Sequence, residues 1–161
     1  MSWLRQTLPG DTPLDQVLGH RANLHRSYQD FYQLFWEREL LPPRILELCR
    51  LRIAQLYKCR AELAAPSSAA LGVDCSPQFL RRLANWHREP EFDDGERACL
   101  EVAELFVQDP HAISDELASA AIARLGEAGF VALAEALAMI DSRVRIQCML
   151  QVSPAEGKPA K

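Results

Sequence analysis

The sequence predicts an all-α chain, a bundle of about six to eight helices, and three observations carry that expectation. Apolar residues recur at three- and four-residue steps, helix-starting and helix-stopping residues bracket those runs, and no stretch alternates convincingly as a half-buried strand would. With 161 residues, 48% of them hydrophobic, the chain is long enough for one domain with its own core and too short to suggest two. The expected division is an N-terminal arm and short helix over residues 1–19, a helical domain over 20–151, and a disordered tail over 152–161.

Taken in order, residues 1–11 read as an irregular arm, and Thr12 caps a short helix that begins with Pro13 and stops at Gly19. From about Arg21 to Glu39, Leu24, Tyr28, Phe31, Tyr32, Phe35 and Trp36 form an aromatic stripe at helical spacing, ended by Leu41-Pro42-Pro43. Such a stripe usually fills core, and what a small domain cannot bury would cover a subunit interface. Ser76 and Pro77 open a helix of about ten residues ending near Trp86. Asp93 with Glu96 forms an Asp variant of the capping box, opening a helix through Gln108 that Asp109-Pro110 stops. Ser114 caps a helix through Leu125, Gly126 ends it, and an alanine-rich helix follows from about Glu127 to Gln151.

Charge and composition exclude several classes. The 18 basic residues are scattered among 22 acidic ones for a net charge of −4, so no field favours a phosphate backbone and nucleic acid is not an expected partner. The N-terminus MSWLRQTLPG has no apolar core long enough for a signal peptide, and no later run is read as a membrane span, which makes the cytoplasm the expected location. Cys49, Cys59, Cys75, Cys99 and Cys148 are odd in number and show neither CxxC nor Cys/His finger spacing, so reduced thiols are expected. His20 and His25 stand five apart, off any shared helix face, and no glycine-rich phosphate loop or metal-ligand spacing occurs, so no cofactor is expected.

The stretch that concentrates chemistry is residues 43–73, PRILELCRLRIAQLYKCRAELAAPSSAALGV. Leu48, Leu51, Leu56, Cys59 and Leu63 keep a helical period with Arg44, Arg50, Arg52 and Lys58 between them. Along one continuous helix Glu47 and Cys59 would stand about 18 Å apart. They cooperate only if the chain turns back near Tyr57-Lys58, giving two antiparallel helices over roughly 43–57 and 60–71, with Gly72 as the left-handed stop of the second. Glu47, a carboxylate in a mostly apolar helix, must be paired or shifted, and Arg44, Arg50 and Arg143 are its candidate partners.

These residues resemble the signature of the carboxymuconolactone decarboxylase and alkylhydroperoxidase-D-like (AhpD-like) superfamily: Glu, eleven residues, Cys, two residues, Cys, three residues, His. Glu47 and Cys59 match; Glu62 stands at the second cysteine position and Pro66 at the histidine position. The aromatic run GHRANLHRSYQDFYQLFWE before the signature, and Glu-Arg-Ala within FDDGERACLEVAELFVQDPHAISDEL after it, extend the resemblance over about residues 19–150. It implies an AhpD-like helical bundle that assembles as a homo-oligomer, trimeric or hexameric, and acts on a small molecule.

The resemblance further implies a thiol-dependent alkylhydroperoxidase of peroxiredoxin type centred on Cys59, with Glu47 and Glu62 as the remaining proton-handling groups and His20, Leu51 and Gln55 as candidates to line the cavity. The two replaced positions imply that this activity is weakened or lost. On the residues themselves, a helix start lowers a thiol pKa from its usual ~8.5, while a carboxylate one turn on raises it. Without a cysteine at 62, a sulfenic acid on Cys59 needs Cys49, Cys75, Cys99, Cys148 or an external thiol to resolve it, and Cys75 is the nearest in sequence beyond the second helix. A proline at 66 removes a backbone donor and should kink the second helix. Two other functions stay open: a carboxylate-based lyase or isomerase using Glu47 and Glu62, and a non-catalytic oligomer that binds a small molecule or a partner.

Overall fold

The computed structural model describes residues 3–5, 8, 10, 12–37, 40–65, 73 and 75–153. Its helices are α1 (Pro13–Leu18), α2 (Ala22–Glu37), α3 (Pro43–Leu56), α4 (Arg60–Leu63), α5 (Pro77–Ala84), α6 (Asp94–Gln108) and α7 (Asp115–Met149). Short 3-10 turns occupy Gly19–Arg21, Trp86–Arg88 and Pro110–Ala112, and there is no strand among the described residues. The expected helix stop at Gly72, the kink at Pro66 and nearly all of the expected tail lie outside the described residues.

Local chemistry sets the boundaries. The Thr12 hydroxyl accepts from the Asp15 N–H at 3.2 Å while the Asp15 carboxylate accepts from the Thr12 N–H at 3.0 Å, closing a capping box on α1. Asp93 and Glu96 repeat it on α6, and Ser114 Oγ accepts from Leu117 at the start of α7. At Gly126 the backbone turns to φ 73°, ψ 167°, so α7 is two helices in sequence, as the glycine predicts. Conformation alone demands glycine there, because a Cβ would meet nothing within 4 Å.

Three helices make the centre: α3, α6 and α7 pack against one another, and α2 lies along α7. One core joins Ile45, Cys49 and Ile53 of α3 to Val102 and Ala103 of α6 and Leu133, Leu137 and Val144 of α7. The opposite face of α3 supplies Leu48 and Leu51 to a second core with Phe79, Leu83, Trp86, Phe92 and Leu100. A fully buried leucine contributes about 1.5–3 kcal/mol, so α3, covered on both faces, is the fold's anchor. Any charged side chain on its buried faces must therefore be neutralised by a partner.

The aromatic stripe of α2 divides. Phe35 is buried and Tyr32 and Trp36 pack against the main core, whereas Leu24 (64% exposed), Phe31 and Leu34 face outward. One expectation needs correcting: Asp115–Met149 contains an 18-residue stretch apolar enough to cross a membrane by length and composition. Its hydropathy comes from alanine-rich sequence, and only 11% of that stretch is buried.

Candidate active site

The chain reverses between α3 and α4 through a helix stop of the Schellman type. The Cys59 N–H donates to Ala54 O at 2.9 Å and the Lys58 N–H to Gln55 O at 3.0 Å, with Lys58 left-handed at φ 54°. A second such stop ends α7: Val152 N–H donates to Gln147 O at 2.9 Å, Gln151 N–H to Cys148 O at 3.2 Å, and Gln151 sits at φ 51°. Lys58 and Gln151 are the two non-glycine residues with positive φ among those described, and both line one pocket of about 280 Å³. Cys59 and Cys148 share that pocket. Strain of this kind costs about 1–3 kcal/mol per residue and collects where a fold is shaped for use.

The reversal brings Glu47 and Glu62 to one arginine. Arg50 grips Glu47 with two bonds, Nη2 to Oε1 at 2.6 Å and Nε to Oε2 at 2.7 Å, and its Nη1 donates to Glu62 Oε1 at 2.8 Å and to the Glu62 carbonyl at 2.9 Å. The other Glu62 oxygen accepts from Arg143 Nε at 3.0 Å and from Gln147 Nε2. Arg143 in turn lies over the Tyr32 ring, 4.8 Å from its centroid. Glu62 is 1% exposed, and Glu47, Arg50, Arg143 and Gln147 are all buried. Two carboxylates and two guanidiniums thus cancel in the interior.

Electrostatics follows from that closure. Burial pushes the Glu62 carboxyl up, and Arg143, Arg50 and the Gln147 amide outweigh it, leaving the pKa below the ordinary carboxylate value. Burial likewise opposes the charge of Arg50 and Arg143, and their glutamate partners hold both firmly protonated. Burial lifts Tyr32 to about 12, and it raises Tyr28 against the pull of the neighbouring Arg143. A carboxylate saturated by cationic donors is a poor proton carrier, so Glu62 serves here as a charge-paired strut.

At Cys59 the balance between helix start and neighbouring carboxylate, open in the sequence, is decided by burial. The Cys59 side chain makes no cap hydrogen bond, α4 is a single turn, and the residue is 4% exposed. Burial pushes the thiol up to about 11; the Glu62 backbone N–H pulls against that rise, and the neighbouring Cys148 thiol and the Glu62 charge add to it. Desolvation wins over the helix start.

The other candidates fall elsewhere. His20 is exposed and bonds the Arg5 carbonyl at 3.3 Å, so it does not line a cavity at Glu47. Leu51 is sealed in the second core, and the Gln55 amide donates to Leu80 O at 2.7 Å; neither belongs to the pocket at Cys59. Cys75 packs against the second core, and Cys148, not Cys75, is the sulfur beside Cys59. Arg44, one of the partners foreseen for Glu47, pairs with Glu96 at 2.6 Å. His25 bonds Asp15 of α1 at 2.9 Å and does not line the pocket at Cys59. Among the described residues no cluster of three or more His, Cys, Asp or Glu is placed to hold a metal.

No family model and no curated relative matches the chain. A crystal structure from Agrobacterium tumefaciens, of a protein of unknown function for which an antioxidant-defence role under the name AhpD has been suggested, superposes with a TM-score of 0.71 at 15% identity. The match covers 88% of this chain and 97% of that one. The chain has an AhpD-like fold. Within that AhpD-like fold, Glu47 and Cys59 stand on either side of the α3–α4 reversal, and Glu62, at the second cysteine position, faces arginines.

The roles of Gln147 and Tyr32 were not foreseen from the sequence; Arg143, foreseen for Glu47, pairs with Glu62 instead, and Cys148 was one of four cysteines considered beside Cys59. Arg50 was visible as a partner of Glu47 from its three-residue spacing. The only signal for the α7 group was the Arg143…Gln147-Cys148 spacing, which puts the first two on one helix face.

Proposed function

We propose that the chain carries a weak thiol-dependent hydroperoxide reductase activity at the pocket holding Cys59. The observation that supports it is that the one sulfur retained from the AhpD-like signature lines a surface pocket and has a second thiol in the same pocket. Weakness follows from the Cys59 pKa of about 11: at neutral pH roughly one thiol in ten thousand is ionised, which slows any step, attack or resolution, in which this sulfur is the nucleophile. It follows also from the neutralised acids, since Glu47 and Glu62 are bound to arginines and no histidine lines the pocket. The test is sustained consumption of cumene hydroperoxide with a disulfide-reductase system as electron donor. Wild type is expected to turn over and Cys59→Ser to stop; equal rates would overturn the proposal.

A second reading is a non-catalytic helical oligomer that binds a small molecule or a partner. It is favoured by the outward apolar residues Leu24, Phe31 and Leu34 on α2 and Val131 on α7, which a second copy of the chain would cover. Light scattering decides the assembly, since a monomer at micromolar concentration rules it out. The carboxylate lyase is the least supported reading, because both acids it needs are held in salt bridges.

A further inference from the structure

We propose that Cys148 and Cys59 work as one dithiol–disulfide pair across α7 and α4, with exposed Cys148 meeting the oxidant and buried Cys59 resolving it. The inference rests on the redox reading of the pocket for its oxidant, and on geometry for the pair. Both sulfurs line the same pocket, one carried by the last turn of α7 and the other by the residue before α4. Each backbone is pinned by its own helix stop, through Cys59 N–H to Ala54 O and through Gln151 N–H to Cys148 O. Exposure orders the steps: Cys148 is open to solvent and Cys59 is not.

Glu62 gains a role from this arrangement. It occupies the position of the second cysteine in the signature, and its carboxylate binds Arg143 and Gln147 on α7. Gln147 directly precedes Cys148, and Glu62 lies three residues after Cys59. The residue that replaced one sulfur is therefore the clamp that holds α4 against the helix bringing another. Glu62 is a positioning residue in this scheme: its carboxylate ties α4 to α7, and its bond to a sulfur is the backbone N–H it offers to Cys59.

The chemistry balances with an organic hydroperoxide as oxidant. The Cys148 thiolate attacks the outer oxygen, the O–O bond breaks, and the alkoxide takes a proton to leave as alcohol, with the sulfur oxidised by two electrons to sulfenic acid. The Cys59 sulfur then attacks that sulfur, the S–O bond breaks, and the departing oxygen leaves as water with the Cys59 proton. Two thiols and one hydroperoxide become one disulfide, one alcohol and one water. A small disulfide serves as an alternative oxidant by exchange, first at Cys148 and then by release of its second thiol as Cys59 closes the bond.

The experiment treats the reduced full chain with one equivalent of cumene hydroperoxide or of oxidised glutathione and reads intact mass and chymotryptic peptides. Loss of two hydrogens and a linked peptide containing Cys59 and Cys148 are expected with both oxidants. In Cys59→Ala, dimedone should trap a sulfenic acid on Cys148; in Cys148→Ala, it should label Cys59 little or not at all. Absence of the linked peptide with both oxidants overturns the pair, and dimedone on Cys59 with none on Cys148 overturns the order. A linked peptide formed by oxidised glutathione without hydroperoxide consumption supports the pair while removing the reductase proposal. Hydroperoxide turnover without the linked peptide does the reverse.

Discussion

Glu62 and Arg143, separated by 81 residues of chain, meet at 3.0 Å and fasten the single turn of α4 to the long final helix. Beside them Arg50 completes a closed set of charges with Glu47, so the reversal that places Cys59 is held by ion pairs as well as by apolar packing.

Removing one member of that set should be expensive. Glu62→Gln leaves Arg143 without its carboxylate and Arg50 with only Glu47, both in the interior, and breaking a buried pair in this way costs about 3–5 kcal/mol. Glu62→Cys, which would restore the second cysteine of the signature, should cost a similar amount and is expected to lower stability rather than create an efficient peroxidase. Urea unfolding midpoints of the two variants against wild type measure this.

Acid should act through the same residue. The folded-state pKa of Glu62 lies below its ordinary value, so its contribution is fully present above about pH 4.5 and is lost as pH falls through the depressed folded value. Asp15, where burial raises the pKa and bonds from Thr12 and His25 bring it below the ordinary value, has the same sign and an adjoining window. Wild type should therefore lose stability below about pH 4.5, and Glu62→Gln, already lacking that charge, should lose less across the same window in denaturant titrations.

The Cys59 thiol should react as a high-pKa group. Alkylation by iodoacetamide of the reduced protein, followed at the peptide containing Cys59, is expected to speed up by about tenfold per pH unit from neutrality and to level off as pH nears about 11. A plateau near the ordinary thiol value would show that burial does not control this sulfur.

Gly126→Ala should destabilise the chain by about 1–3 kcal/mol, because φ 73° with ψ 167° belongs to a region that residues with a Cβ scarcely enter. The loss is expected in thermal or chemical unfolding with no effect on Cys59 reactivity, since the break at 126 lies far along α7 from Cys148.

Much of this architecture is legible in the letters because the signals are local. Thr12, Asp93 with Glu96, and Ser114 mark helix starts that a cap requires within three residues, and Gly126 marks a break that no other residue accommodates easily. Reach made a turn at Tyr57-Lys58 the condition for Glu47 and Cys59 to cooperate, and the chain does turn there, even though the left-handed position is a lysine where glycine would be usual. What stayed hidden is non-local. Nothing near Glu62 in sequence announces Arg143 or Gln147, and Cys148 approaches Cys59 only once α7 has been laid against α4. The contest between helix start and burial at Cys59 could not be decided from spacing, because desolvation depends on that same packing.

One wall of the pocket is the terminal turn of α7, closed by the bond from Val152 N–H to Gln147 O. A cleft built on a helix end breathes with the unwinding of that end. Whatever settles between the two sulfurs, or joins them, will therefore register as slower deuterium uptake at the amides of Gln151 and Val152, well before any change reaches the middle of the bundle.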